Sequence, residues 1–188
     1  MKKIILALII IFSLVIALPS CDSNKNSNPE FDLLNDLCNK DFSSYSIDIS
    51  VESETGDKTT EHYNVSVADG IKTVEYRIER LSTFELENGE LQIPSNRITV
   101  TEGSLTTDKK GEYEIPKFNF SYDALSSDMI IGRTFKAKIV SIEKFAGITT
   151  DIEEATVKVE YSTSSVSTVT ITYNTDAGNT VTIQYTFN

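Results

Sequence analysis

Residues 155–187 read ATVKVEYSTSSVSTVTITYNTDAGNTVTIQYTF, and this stretch decides the fold. Ala155, Val157, Val159 and Tyr161 alternate with Thr156, Lys158 and Glu160. Val169, Ile171 and Tyr173 form a second alternating run, and Val181, Ile183, Tyr185 and Phe187 a third. A period of two sends successive side chains to opposite faces of a strand, so each run is a half-buried strand with one wet face. Thr and Ser fill the wet positions, where β-branching and hydrogen bonding suit a pleated surface. The connectors, Ser162 to Ser165 and Asn174 to Asn179, are short, which makes the three strands an antiparallel meander.

The same period runs back through most of the chain. Phe135, Ala137 and Ile139 alternate; Tyr122 to Met129 reads as one or two helical turns. Tyr113, Ile115, Phe118, Phe120 and Tyr122 follow a turn at Asp108 to Gly111, and Ile98 and Val100 mark a shorter strand. Between Ile71 and Leu86 a long run carries Tyr76, Ile78, Arg80, Ser82, Phe84 and Leu86 on one parity. Sixteen extended residues would span roughly 50 Å, longer than most strands, so a bulge or a break is expected. Asn88-Gly89 and Asp69-Gly70 are turn signals, the latter a hairpin between this run and Tyr63, Val65 and Val67. Tyr45, Ile47, Ile49 and Val51 give the first strand. Before it the period is 3.6: Phe31, Leu34, Leu37 and Cys38 share one face of a helix from Pro29 to about Lys40. Asn28 is placed as its N-cap and Pro29 as its first position. The expected fold is mainly β: one N-terminal helix packed on eight to ten antiparallel strands, either a curved open sheet (a half-barrel) or a β-sandwich.

The first 21 residues are of another kind. Lys2 and Lys3 precede an apolar run from Ile4 to Leu18, shorter than the ~20 residues that a spanning helix needs. Leu18-Pro19-Ser20-Cys21 resembles a bacterial lipobox, whose cysteine receives a diacylglyceryl group and becomes the first mature residue. Residues 1–20 are then a signal peptide, 21–28 a lipid-bearing cysteine with a polar tether, and 29–188 a single helix-plus-β domain. The expected place is outside the cell, anchored through lipid to the outer face of the bacterial cytoplasmic membrane. The chain carries 28 acidic and 17 basic residues, a net charge of −11, and loss of Lys2 and Lys3 makes it −13. That balance argues against nucleic acid or anionic lipid headgroups as general partners. Cys38 is left without a partner for a disulfide and reads as a small buried hydrophobe.

The order of helix, long meander, a break near Phe120 to Gly132 and the final hairpin DAGNTVTIQYTF resembles the lipid-carrier superfamily of the bacterial envelope. That superfamily includes the lipoprotein-localisation carrier and the lipid-binding surface lipoproteins of mycobacteria. The resemblance implies an open, curved antiparallel sheet around an apolar cavity plugged by helix, and a lipid or other apolar small molecule as ligand. It is a likeness of architecture over Asp41 to Asn188, and no binding residue is carried over from it.

Catalysis finds little support. His62 is the single histidine, on the wet parity of its strand with Asn64 and Ser66, so neither a multi-histidine zinc site nor a proton shuttle between histidines can form. There is no G-x-S-x-G elbow, phosphate-cradling glycine loop, calcium loop or C-x-x-C pair, and no enzyme activity, metal or cofactor is expected. Asp151, Glu153 and Glu154 read as solvated connector charge. The candidate ligand residues are Arg80, Tyr76 and Phe84. Arg80 would bring a guanidinium fork, suited to an anionic headgroup or carboxylate, onto an apolar face, whereas a bulge near it would swing it outward and bring Leu81 in. Met129 to Gly132 reads as a core edge, or a lid over a cavity. A surface module that binds protein or glycan over a filled core is the alternative; the sequence names no protein partner.

If Cys21 carries the lipid, Cys21→Ala releases the protein into the medium or leaves it unprocessed; unchanged processing and detergent partitioning would refute the assignment.

Overall fold

The computed structural model describes residues 28–87, 91–107, 116–150, 152 and 154–188. Cys21, the Asn88-Gly89 turn, Tyr113, Ile115, Asp151 and Glu153 lie outside the described residues.

Helix α1 spans Pro29–Cys38, and its cap is as expected: Asn28 Oδ1 accepts the Glu30 amide, with Pro29 at the first turn. Strands β1 (Ser44–Glu52), β2 (Lys58–Ala68), β3 (Ile71–Glu87) and β4 (Leu91–Thr107) follow, then β5 (Leu125–Ile131) and β6 (Thr134–Ile139). A five-residue helix α2 (Ile142–Ala146) precedes β7 (Ala155–Tyr161), β8 (Val166–Asn174) and β9 (Thr180–Phe187). The nine strands form one antiparallel sheet in the order β4-β3-β2-β1-β9-β8-β7-β6-β5. The sheet is curved and does not close, so of the two expected shapes the open sheet is present and the sandwich is not.

Two meanders, β1–β4 and β5–β9, are joined at a central seam where the first strand pairs with the last, Tyr45 opposite Phe187 and Ile47 opposite Tyr185. The core lies on one face of the second meander. Phe135, Ala137 and Ile139 of β6, Val157 and Val159 of β7, and Val169 and Ile171 of β8 are buried beneath Phe31, Leu34 and Leu37 of α1 and Ile142 and Phe145 of α2. Cys38 belongs to this core, and burial pushes its thiol up to about 12.

Three elements differ from the sequence reading. Tyr122 to Met129 holds no more than one helical turn: a turn at 121–124, closed by the Leu125 amide on the Ser121 carbonyl at 2.9 Å, leads into β5, whose register against β6 shifts between Ser126 and Met129 and breaks the alternation. Helix α2 was not foreseen, although Ser141 caps it through the Lys144 amide and Gly147 (φ 68°) closes it in the left-handed region. Strand β4 is 17 residues long rather than short. From Asn96 to Thr106 it is exposed on both faces, except at Gly103, so no alternation marks it.

The bulge expected in the long strand lies instead on its partner β4, at a point later than Arg80. Pairing with β4 is regular through Ser82–Arg97 and resumes at Phe84–Pro94, with the extra residue on β4, where Asn96 adopts φ 52°. Thr83, at the irregularity, donates its amide and hydroxyl to Asp57 Oδ1 at 2.7 and 2.6 Å. These bonds hold the Asp57 carboxyl below its usual range.

Between α1 and α2 runs an extended segment, 116–120, that joins no sheet. Asn35 Oδ1 accepts the Phe120 amide (3.0 Å) and its Nδ2 donates to the Phe120 carbonyl (3.3 Å). Asn39 does the same to Phe118, both at 2.7 Å. On the other edge the Asn119 amide donates to the Phe145 carbonyl at 2.8 Å. Phe118 and Phe120 are thereby turned into the core.

Asn39→Ala leaves the Phe118 amide and carbonyl without these partners and should cost about 1–3 kcal/mol in urea unfolding, while Asn119→Ala, which removes only an exposed side chain, should cost far less. Because the Asp57 value is lowered, its contribution is complete above the ordinary aspartate value of 3.8 and lost as pH falls through the lowered one. Acid titration of stability should accordingly show a smaller loss for Asp57→Ala than for the parent.

Candidate functional site

The cross-strand register shows which residues share the face that the helices cover. One row runs Phe135, Val159, Val169, Tyr185, Ile47, Tyr63, Tyr76 and Gly103, from β6 across the seam to β4. Its first three residues are buried under the helices, whereas Tyr63 and Tyr76 are only half-buried. The core-facing side of the sheet is therefore filled over the second meander, while on the first only Tyr45 and Val65 are buried and the cover thins toward β3 and β4.

At the border lies a cleft of about 1000 Å³. Tyr45, Ile47 and Tyr185 line it from the seam strands; Phe145, Ala146 and Gly147 from α2 and its end; Pro116, Lys117 and Asn119 from the extended segment. Tyr185 packs edge-on to Phe118 (5.2 Å between ring centroids) and Tyr45 lies against Phe187 (6.3 Å), so the core supports the aromatic lining from below. Burial raises the Tyr45 and Tyr185 phenols above their usual value, which keeps both neutral. Lys72, Lys117 and Lys144 stand around the cleft with Asp41 and Glu143. The lining thus combines an aromatic floor with three cationic and two acidic side chains, on a chain of net charge −11.

From the cleft the row continues outward as an aromatic strip. The rings of Tyr63 and Tyr76 are 6.5 Å apart, and the Tyr63 hydroxyl donates to Glu61 Oε2 at 2.5 Å, which together with burial pushes that phenol up to about 12. Opposite Tyr76 stands Gly103, and a Cβ there would fall 2.8 Å from Cε1 of the Tyr76 ring. Only a residue without a side chain lets the ring lie across β4. Four strand steps of ~4.8 Å take the strip from Tyr185 to Gly103, about 19 Å.

Of the residues expected to bind ligand, Tyr76 is in this strip. Arg80 keeps its parity, two steps along β3 from Ile78, between Thr59 and Thr99; it is exposed and stays on the helix-covered side of the sheet. Phe84 contributes backbone to β3, and its side chain lies outside the described residues. Ile171 and Ile183, inward residues of the last two strands, are packed in the core. The cleft's contribution from α2 is not marked by the sequence reading, its signal being Ser141 with Gly147 around an apolar i, i+3 pair; segment 116–120 belongs to the alternating run through Phe118 and Phe120, but it joins no sheet.

The opposite face is polar over its central strands, with exposed apolar residues toward both edges, Ile98 and Val100 on β4 and Met129 and Ile131 on β5. His62 lies on this face, Nδ1 2.6 Å from Asp48 Oδ1 and Nε2 3.1 Å from Asn64 Oδ1, with Arg77 bonded to Glu79 and Glu102 further along. The region Met129 to Ile131 is neither core nor part of the cleft, but an exposed stretch of the edge strand β5. Compared with models of protein families and with characterised proteins, the chain matches none.

Proposed function

We propose that the chain is a membrane-tethered extracytoplasmic lipoprotein whose half-covered sheet face binds a lipid or another apolar molecule with an anionic end. One observation supports this reading above the rest: the aromatic strip of the thinly covered half-face leads into a cleft where three lysines stand with two carboxylates. An acyl chain laid along Tyr76, Tyr63 and Ile47 would cover apolar surface that the fold leaves open, and its carboxylate or phosphate would meet Lys72, Lys117 or Lys144. Arg80, exposed on the same side, offers a second cation for a larger headgroup. No group in the cleft is arranged as nucleophile and base, so the reading is one of binding, without turnover.

The packed core beneath α1 and α2 favours the second reading, a surface module that takes protein or glycan through the Tyr63–Tyr76 pair. The same experiment separates the two. A fluorescent fatty acid bound to the protein should be displaced by unlabelled fatty acid, and affinity should fall about tenfold in Tyr76→Ala, the equivalent of ~1.4 kcal/mol of lost apolar contact. Gly103→Val should act alike by forcing the Tyr76 ring aside, with the core intact. Lys144→Glu should weaken a fatty acid but not a neutral apolar probe. Absence of fatty-acid binding by the parent, with retention on a polysaccharide or protein column that Tyr76→Ala abolishes, decides for the second reading.

A further inference from the structure

The β5–β6 hairpin carries a feature that the cleft does not use. Met129, Ile130 and Ile131 are consecutive, exposed residues on an edge strand, Ile131 being 63 % exposed, and Tyr122 adds a fourth exposed apolar side chain beside them. A long apolar edge open to water is a template for aggregation, and folded proteins ordinarily blunt it with charge or a cover. Here the charges are cationic. Arg133 follows Ile131 across the Gly132 turn, and Lys136 and Lys138 face outward from β6, with Lys136 opposite Met129. The carboxylates on the same edge are Asp123 and Asp128, while nearby Lys158 is paired with Glu160. Arg133, Lys136 and Lys138 thus form a local cationic cluster beside the apolar edge, against Asp123 and Asp128 on that edge and Glu30 at the start of α1, on a chain of net charge −11.

A second observation fixes where this corner sits. The tether ends at α1, and the start of α1 is fastened to the same end of the sheet. Glu30 accepts the hydroxyl of Tyr161, the Tyr161 amide donates to the Arg133 carbonyl at 3.1 Å, and Phe31 packs 5.0 Å from Tyr122 and 5.8 Å from Phe135. Residues 21–28 are too few to let the domain wander: seven steps of extended chain reach at most about 25 Å.

We propose that the β5–β6 corner rests on an anionic lipid surface, Ile131 and Tyr122 entering the interface and Arg133, Lys136 and Lys138 meeting the headgroups. The proposal rests on the reading of Cys21 as the lipid-bearing residue. It would give the tethered domain one orientation, with the hairpin tip down, by the combination of apolar insertion and basic side chains that holds peripheral segments at membranes.

The test uses the full lipoprotein reconstituted into vesicles of phosphatidylcholine with or without phosphatidylglycerol. A fluorophore is attached at Ile131→Cys or, as control, at Asp69→Cys in the β2–β3 turn; Cys38 is buried and escapes labelling. Spin-labelled lipid should quench the Ile131 position and not the Asp69 position. Quenching should be lost without phosphatidylglycerol and in the Lys136→Glu/Lys138→Glu protein. Protein that floats with the vesicles while the Ile131 label stays unquenched overturns the proposal and leaves the anchor standing. Protein that does not float refutes the anchor, and the proposal falls with it. Shielding of the Ile131 label that grows with protein concentration in lipid-free detergent would assign the edge to a second copy of the chain instead, and would also overturn it.

Discussion

Two asparagine side chains hold the covering layer together. Asn35 and Asn39 lie one helical turn apart on α1, and each presents a carboxamide to the backbone of an alternate residue of the extended segment, Phe120 and Phe118. A carboxamide carries one acceptor and two donors in the spacing of a peptide group, so the pair acts as a two-rung ladder written in side chains. The need is plain: residues 116–120 run over a buried core, where unpaired amides and carbonyls would be costly, and no strand is there to pair with them. With one edge held by α1 and Asn119 bonded to α2, the helix, segment and second helix behave as one layer. Without that ladder Phe118 and Phe120 lose their register over the core, and the wall of the cleft, which includes Lys117 and Asn119, has no fixed position.

Because the layer reaches only as far as the seam, the sheet is stabilised unevenly. Strands β6 to β9 are held by close packing, and their inward side chains are almost wholly buried. Strands β3 and β4 gain mostly ladder hydrogen bonds and cross-strand pairs: Tyr63 with Tyr76, Arg77 with Glu102, and Thr83 with Asp57 beyond the end of β2. Few buried apolar contacts and many exposed backbone bonds mark the part of a protein that opens locally at low cost. A binding surface placed there can adjust to its ligand without disturbing the core. The proposed ligand in turn supplies the apolar cover that this half of the sheet lacks.

How far the sequence discloses all this follows from the same division. Where one face is packed and the other wet, as in β7, β8 and β9, alternation names both the strand and its inward residues; Val157, Val159, Val169 and Ile171 are core as read. Where neither face is packed, as in β4, there is no alternation to read and the strand is underestimated. The bulge at Ser126 to Met129 hides β5 for another reason: it shifts the parity midway. Asn35 and Asn39 read as the polar side of an amphipathic helix, since their partners lie 85 and 79 residues away, respectively. Tyr76 and Arg80 could be assigned a face because β3 stays regular to Ser82. The cleft could not be assembled in advance, as two of its three walls come from elements whose signals are short or non-local.

The seam adds a constraint in time. Ile47 and Tyr185, neighbours in the cleft lining, stand on the first and last strands, 138 positions apart in the sequence. Pairing so distant is slow to form, because loop closure must be met before any contact rewards it. Neither meander alone completes the site: β1 lacks its inward neighbour until β9 arrives, and β9 buries Phe187 against Phe42 and Tyr45, which precede or begin β1. If the chain crosses a membrane unfolded, as the proposed lipoprotein reading requires, its last strand would be across before the seam could close. Core, seam and cleft would then be completed in one late step on the far side, and a domain able to hold an apolar ligand would exist only there.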